Sequence, residues 1–89
     1  MLAVVTVTGK DMVGVLSKVS TMCADVNANI IDVSQTVMQG VFAMVMLTDV
    51  DNINCEFNEM VDRMETLGKD MGYVIHVMHE DIFNSMHRI

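Results

Sequence analysis

The chain has no proline and no tryptophan, one tyrosine, three phenylalanines, five basic residues and two cysteines among its 89 positions. Each scarcity excludes something. With no proline and no Gly- or Ser-rich stretch there is no linker, repeat or low-complexity segment, and this length makes one domain. Aromatics are 4% of a chain that is 52% hydrophobic, so the core has to be assembled from Val, Ile, Leu and Met. Five basic against twelve acidic residues give a net charge of −7 with no basic cluster. That argues against nucleic-acid binding, because phosphate contact depends on basic side chains that release counterions. Cys23 and Cys55 form no Cys-x-x-Cys pair, which fits reduced, buried thiols in a cytoplasmic protein and leaves a disulfide between them open. The apolar start MLAVVTV is short, lacks a basic leader and alternates Val with Thr. It reads as a strand, neither a signal peptide nor a membrane span.

What the chain has in excess is methionine, eleven in all. Most fall on periodic apolar positions and so read as adaptable core filler, with a sticky surface as the other reading. A domain this small buries only about 60–65% of its surface on folding, which makes added stabilisation from a partner valuable.

Two periods alternate along the chain. Residues 2 to 8 alternate, with Ala3, Val5 and Val7 on one side and Leu2, Val4, Thr6 and Thr8 on the other. From Met12, the spacing of Leu16, Val19, Cys23 and Val26 predicts a helix over about 12–27, with Asp11 as its N-cap. Asn29 to Met38 returns to period two, Ile31, Val33 and Val37 facing one way and Asp32, Ser34 and Thr36 the other. Gln39-Gly40 is a turn, and Val41 to Thr48 is a nearly continuous apolar strand, so the pair predicts a hairpin whose second strand lies inside the sheet. Phe57, Met60, Val61, Met64 and Leu67 mark one face of a helix over about 54–70, with Glu56, Glu59, Asp62, Arg63, Glu65 and Lys69 on the solvated face. Tyr73 to Met78 is a last strand.

The order is β-α-β-β-α-β, an α+β, ferredoxin-like sandwich in which two helices cover one face of a four-stranded antiparallel sheet. Residues 1–79 make that core. Residues 80–89, with Ile82, Phe83, Met86 and Ile89 at helical spacing, make a short C-terminal helix able to shield the open face of its own or of a second chain.

The stretch TGKDMVG between the first strand and first helix resembles a phosphate-binding loop only superficially. A P-loop needs Ser or Thr after Gly-Lys, and Asp11 stands there. The longer stretch from Val7 to Val50, with Asp-x-x-Gly at Asp11 to Gly14 and Asn29-Ile30 opening the second strand, resembles an ACT domain. It looks most like the small stand-alone ACT proteins of prokaryotes and the ACT domains of glycine-cleavage regulatory proteins. The resemblance implies a regulatory module that binds an amino acid or other small effector where two domains meet, and passes the signal on. Its ligand site would comprise Asp11, Met12, Val13 and Gly14 with Asn29 and Ile30. Amides at a helix N-terminus favour a carboxylate, Gly14 lets the backbone approach, and Asp11 and Asn29 can hold an ammonium or amide. The plainer reading has Asp11 as a cap and Gly14 as a close-packing residue. Many amino-acid-binding ACT domains read Asp/Asn-Arg-Pro-Gly; Met12 and Val13 here remove the cation and the rigid turn.

Enzyme chemistry has little raw material. The spacing of His76, His79 and His87, Cys23 and Cys55 implies no tetrahedral metal set, since His76 and His79 on one strand point to opposite faces, and a Cys-His or Ser-His-Asp arrangement is defined by distances that a sequence does not carry. No cofactor or metal is expected. The expected partners are a second copy, a small effector and a separate enzyme or regulator, with no nucleic acid and no membrane. Asp32, Ser34, Thr36, Ile82, Phe83, Met86 and Ile89 are the expected homodimer interface, and the second strand is expected at a sheet edge. A ligand-free interaction module is the alternative.

Overall fold

The computed structural model describes residues 1–10 and 13–86. The elements run β1 (Leu2–Gly9), α1 (Val15–Asp25), β2 (Asn29–Met38), β3 (Val41–Asp49), α2 (Phe57–Met71), β4 (Val74–His79) and α3 (Glu80–Met86). The strands form one antiparallel sheet in the order β2-β3-β1-β4. This is the βαββαβ sandwich with a C-terminal helix that the periods predict.

The central position of β1 explains its burial. Ala3, Val5 and Val7 are fully enclosed beneath the helices, and Val4 on the other face is only 3% exposed. Across from Ala3, the Thr48 hydroxyl, a buried polar group among the described residues, donates to the Ala3 carbonyl at 3.0 Å, so its burial carries no unpaired hydrogen-bonding atom. Val15, Val19 and Cys23 from α1 meet Met60 and Met64 from α2 over Phe42, Met44 and Met46 from β3. Four of these are methionines, flexible enough to fill gaps that a core with one fully enclosed aromatic ring would leave.

Three boundaries differ from the sequence expectation. First, α1 starts at Val15, not Met12. Its N-cap is Gly14, at φ 74° and ψ 0° with no side-chain cap bond, and the first helical turn closes from Lys18 N–H to the Gly14 carbonyl at 3.0 Å. A left-handed glycine lets the chain turn into the helix without a capping carboxylate. The cap position is therefore not Asp11, which with Met12 lies outside the described residues.

Second, α2 starts at Phe57 rather than near residue 54. Asn54 is engaged elsewhere: its backbone N–H donates to the Val26 carbonyl at 3.0 Å and its side-chain amide to the Asp25 carbonyl at 2.9 Å. It closes the end of α1 instead of opening α2.

Third, β2 contains a bulge. Ile30 pairs with Thr48 and Asp32 with Leu47, leaving Ile31 as the extra residue. The parity expected for the strand is thereby shifted at its start: Ile30, not Ile31, shares the helix-covered face with Val33, while Ile31 is 49% exposed. Beyond the bulge Asp32, Ser34 and Thr36 sit opposite Leu47, Val45 and Ala43 on the open face, as expected. Gln39 and Gly40 both have positive φ, as a two-residue hairpin requires.

The face of the sheet away from α1 and α2 is covered in part. Helix α3 continues directly from β4 and packs on β1 and β4. Cover is confined to the end at Val4: farther along the same face Thr8, Val74 and His76 are exposed, as are Val41 and Val45 on β3.

Candidate functional site

The two glycines of the stretch TGKDMVG between β1 and α1 have separate causes. At Gly9 a Cβ would overlap the Tyr73 ring, so the absence of a side chain lets the ring lie on the strand. At Gly14 nothing lies within 4 Å of the place a Cβ would occupy. Close packing does not explain this residue; its positive φ does, and the space beside it is open. Val13, next to it, is 81% exposed. Asp11 and Met12, the other expected ligand contacts of this turn, lie outside the described residues. Beside the turn, a mostly apolar hollow of about 460 Å³ runs over Gly9, Lys10, Val41, Met71, Tyr73 and Val74.

Asn29 and Ile30 are not near that turn. Asn29 pairs with Asp49, which pairs with Leu2, whereas Gly9 pairs with Phe42, which pairs with Val37. The two halves of the expected site thus stand at opposite ends of the sheet, about 20 Å apart along β1 at roughly 3.3 Å per residue. Within one chain they form two sites, not one.

Around Asn29 lies a polar hollow of about 340 Å³ lined by Asn27, Ala28, Asn29, Asp49 and Asn52. It is held open by its own hydrogen bonds. Asn27, at φ 63°, donates its side-chain amide to the Asn52 carbonyl at 2.8 Å, and Asp49 Oδ1 accepts the Asp51 N–H at 2.9 Å. Ile30, half-buried, faces the core and not this hollow. Sequence reasoning passed over Asn27, Asp49 and Asn52. The signal was there, in two Asn- and Asp-rich breaks that flank paired strand ends.

Of the expected interface residues, Asp32, Ser34 and Thr36 are exposed on the open face of β2, which is an edge strand. On α3, Ile82 and Met86 are 56% and 65% exposed and Phe83 is half-buried. Ile89 lies outside the described residues.

The titratable groups are dispersed. His76 pairs with Thr6 and His79 with Ala3, on opposite faces of the sheet. His76 Nδ1 is 3.8 Å from a Glu65 oxygen, and His79 Nδ1 accepts the Asp81 N–H at 3.1 Å. Among the described residues no three of His, Cys, Asp and Glu converge on a point. Both cysteines are free thiols. Burial pushes the Cys23 thiol up to about 11, and its sulfur lies 3.8 Å from that of Met46. Cys55 is half-buried rather than buried as expected; desolvation, and then Glu59, raise its pKa.

The sequence profile of the ACT domain matches residues 1–78. A UPF0237 protein of Listeria monocytogenes serotype 4b (strain F2365) is 46% identical over 89 residues, the whole of both chains. Among solved structures, an ACT domain protein from Streptococcus pneumoniae superposes with a TM-score of 0.82 at 32% identity, covering 93% of each chain. A chain assigned as a glycine cleavage system transcriptional repressor superposes with a TM-score of 0.77 at 16% identity, over 85% of this chain and 44% of its own, which is likeness of fold alone. The chain belongs to the ACT domain family, whose fold, two helices on an antiparallel sheet with β2 at an edge, it displays throughout. No helix among the described residues is long and apolar enough to cross a membrane.

Proposed function

We propose that this chain is a non-enzymatic regulatory module that binds a small effector, an amino acid in the first instance, as a homodimer. One observation carries the reading: the two halves of the family-type site stand at opposite ends of a sheet whose β2 edge is free. Two β2 edges paired antiparallel about a two-fold axis bring the Asn29 end of one copy toward the Gly14 end of the other. A ligand held there would contact both chains, so binding and assembly would be linked. The polar hollow at Asn29 and Asp49 suits an ammonium or amide group, and the turn at Gly14 offers open backbone. The output would pass to a separate enzyme or regulator.

The test is a thermal-shift screen of the proteinogenic amino acids against the full chain. At least one should raise the midpoint, since a ligand at 100 times its dissociation constant adds about 2.7 kcal/mol. A flat response across that panel, and across nucleotides and folates, overturns the effector reading and leaves a ligand-free interaction module, which the exposed apolar residues Val41 and Val45 favour.

A further inference from the structure

We infer that the hollow where β1 ends and β4 begins is a second small-molecule site, for a monocarboxylate with an apolar body and no ammonium group. It is separate from the effector site of the regulatory reading and needs no second chain.

The hollow encloses about 460 Å³ over Thr8, Lys10, Val41, Met71, Tyr73 and Val74. That lies within the size range of small-molecule pockets. Strand register explains why these residues meet. Thr8 pairs with Val74, and Gly9 with Phe42, the neighbour of Val41, so three strand ends converge beside the exit of α2 at Met71. Helix α3 leaves this end bare, because it follows the far end of β4, where Met78 pairs with Val4. Val41 and Val74 are accordingly 48% and 55% exposed.

One wall is fixed before any ligand arrives. The Tyr73 ring fills the space beside Gly9 that a Cβ would take, and the Tyr73 N–H donates to the Gly68 carbonyl at 2.7 Å. An aromatic wall held in this way loses little freedom when a ligand docks against it.

Charge selects the head group of the ligand. Acidic residues outnumber basic ones by twelve to five, and three other hollows each carry a carboxylate: Asp62 and Asp70 between α1 and α2, Asp49 beside Asn29, and Glu65 along β4. Among its described lining residues this hollow has none, and its one charge is the Lys10 ammonium. A cation at the rim of an apolar wall attracts a carboxylate and repels the ammonium of an amino acid. The end of α2 does not cancel this attraction, because the Gly68 and Lys69 carbonyls already accept the N–H groups of Tyr73 and Gly72. The net charge of −7 disfavours dianions. What remains is a monoanion whose body lies against Val41, Val74 and Tyr73.

Tyr73 is the one tyrosine of a chain without tryptophan, so tyrosine fluorescence reads this hollow directly. Titrating the full chain with octanoate should give a saturable change in emission. Octylamine and 2-aminooctanoate, which present a similar apolar body with other head groups, should bind about tenfold more weakly, as should octanoate to Lys10→Gln, since a hydrogen bond to a charged group is worth about that factor. Val74→Glu, which sets a carboxylate in the wall, should abolish octanoate binding. Both positions are exposed, and circular dichroism checks the fold. Lys10→Glu should go further and reverse the order, with octylamine ahead of octanoate, which keeps the test decisive if Val74→Glu misfolds. No saturable change with octanoate, equal affinity for octylamine or 2-aminooctanoate, or parent-like affinity in Lys10→Gln overturns the inference. None of these outcomes touches the effector reading, which stands or falls on the amino-acid screen.

Discussion

The Tyr73 ring lies over Gly9, in the space that any side chain at that strand position would fill. This contact ties the end of β1 to the entry of β4, next to the turn that leads into α1. It also places the single tyrosine of the chain where the expected effector turn begins.

Gly9→Ala should therefore destabilise the fold by about 1–3 kcal/mol, the range for forcing an extra methyl group into a packed site. Pairing it with Tyr73→Ala should recover part of that loss, giving a non-zero coupling in a double-mutant cycle. Urea denaturation of the four proteins measures it. Additive effects would show that the ring is not what excludes a side chain at Gly9.

Gly14 makes the opposite prediction. Space is open there and only φ is unusual, so the cost of Gly14→Ala should come from the left-handed backbone, roughly 1–2 kcal/mol. Gly14→Asn should cost less, because Asn tolerates that region. Equal costs for the two variants in thermal or urea unfolding would mean that contact, not conformation, governs the site.

Asn29→Ala should leave stability within about 0.5 kcal/mol of the parent, since the side chain is exposed. It should nevertheless abolish binding of any amino acid identified by the thermal-shift screen. Isothermal titration of the variant decides: parent-like affinity would remove Asn29 from the ligand site. Because the Asn29 hollow and the Gly14 turn are far apart in one chain, a variant of each should form one working site of the two when mixed. That mixture should bind at reduced capacity, whereas each variant alone should not bind.

The sequence made the strands, the α2 stripe and the overall order readable because period two and period 3.6 leave distinct marks where apolar and polar residues alternate. What stayed hidden depended on contacts between distant segments. Asn54 sits in a helical rhythm, but the carbonyls of Asp25 and Val26 claim it. The bulge at Ile31 was masked because Ile30 and Ile31 are identical residues, so a one-residue slip leaves the hydrophobic pattern intact. Met12 looks like part of the α1 stripe, and no local signal says that Gly14 adopts a positive φ. For the candidate site, residue types were legible and placement was not. That Gly14 and Asn29 stand at opposite ends of the sheet follows only from strand order and register.

The two thiols should differ in reactivity and in their effect on stability. Cys23 is fully buried with its pKa pushed up to about 11, from an ordinary value of 9.0. Its thiolate is therefore scarce in the folded state and its sulfur is out of reach. A thiol reagent at pH 8 should label Cys55 in the native protein and Cys23 only after unfolding. For stability the sign follows from proton binding. Below about pH 9 both folded and unfolded Cys23 hold the proton, so pH has no leverage through this group. Between about pH 9 and 11 the unfolded chain loses it and the folded chain keeps it, so stability falls with rising pH by up to about 2–3 kcal/mol. Above that window both states are ionised and the fall levels off. Cys23→Ala should lower stability at neutral pH by leaving a cavity, yet flatten this alkaline decline. Urea midpoints for parent and variant at pH 8 and at pH 10.5 measure both effects. An equally steep decline in the variant would place its origin in another group.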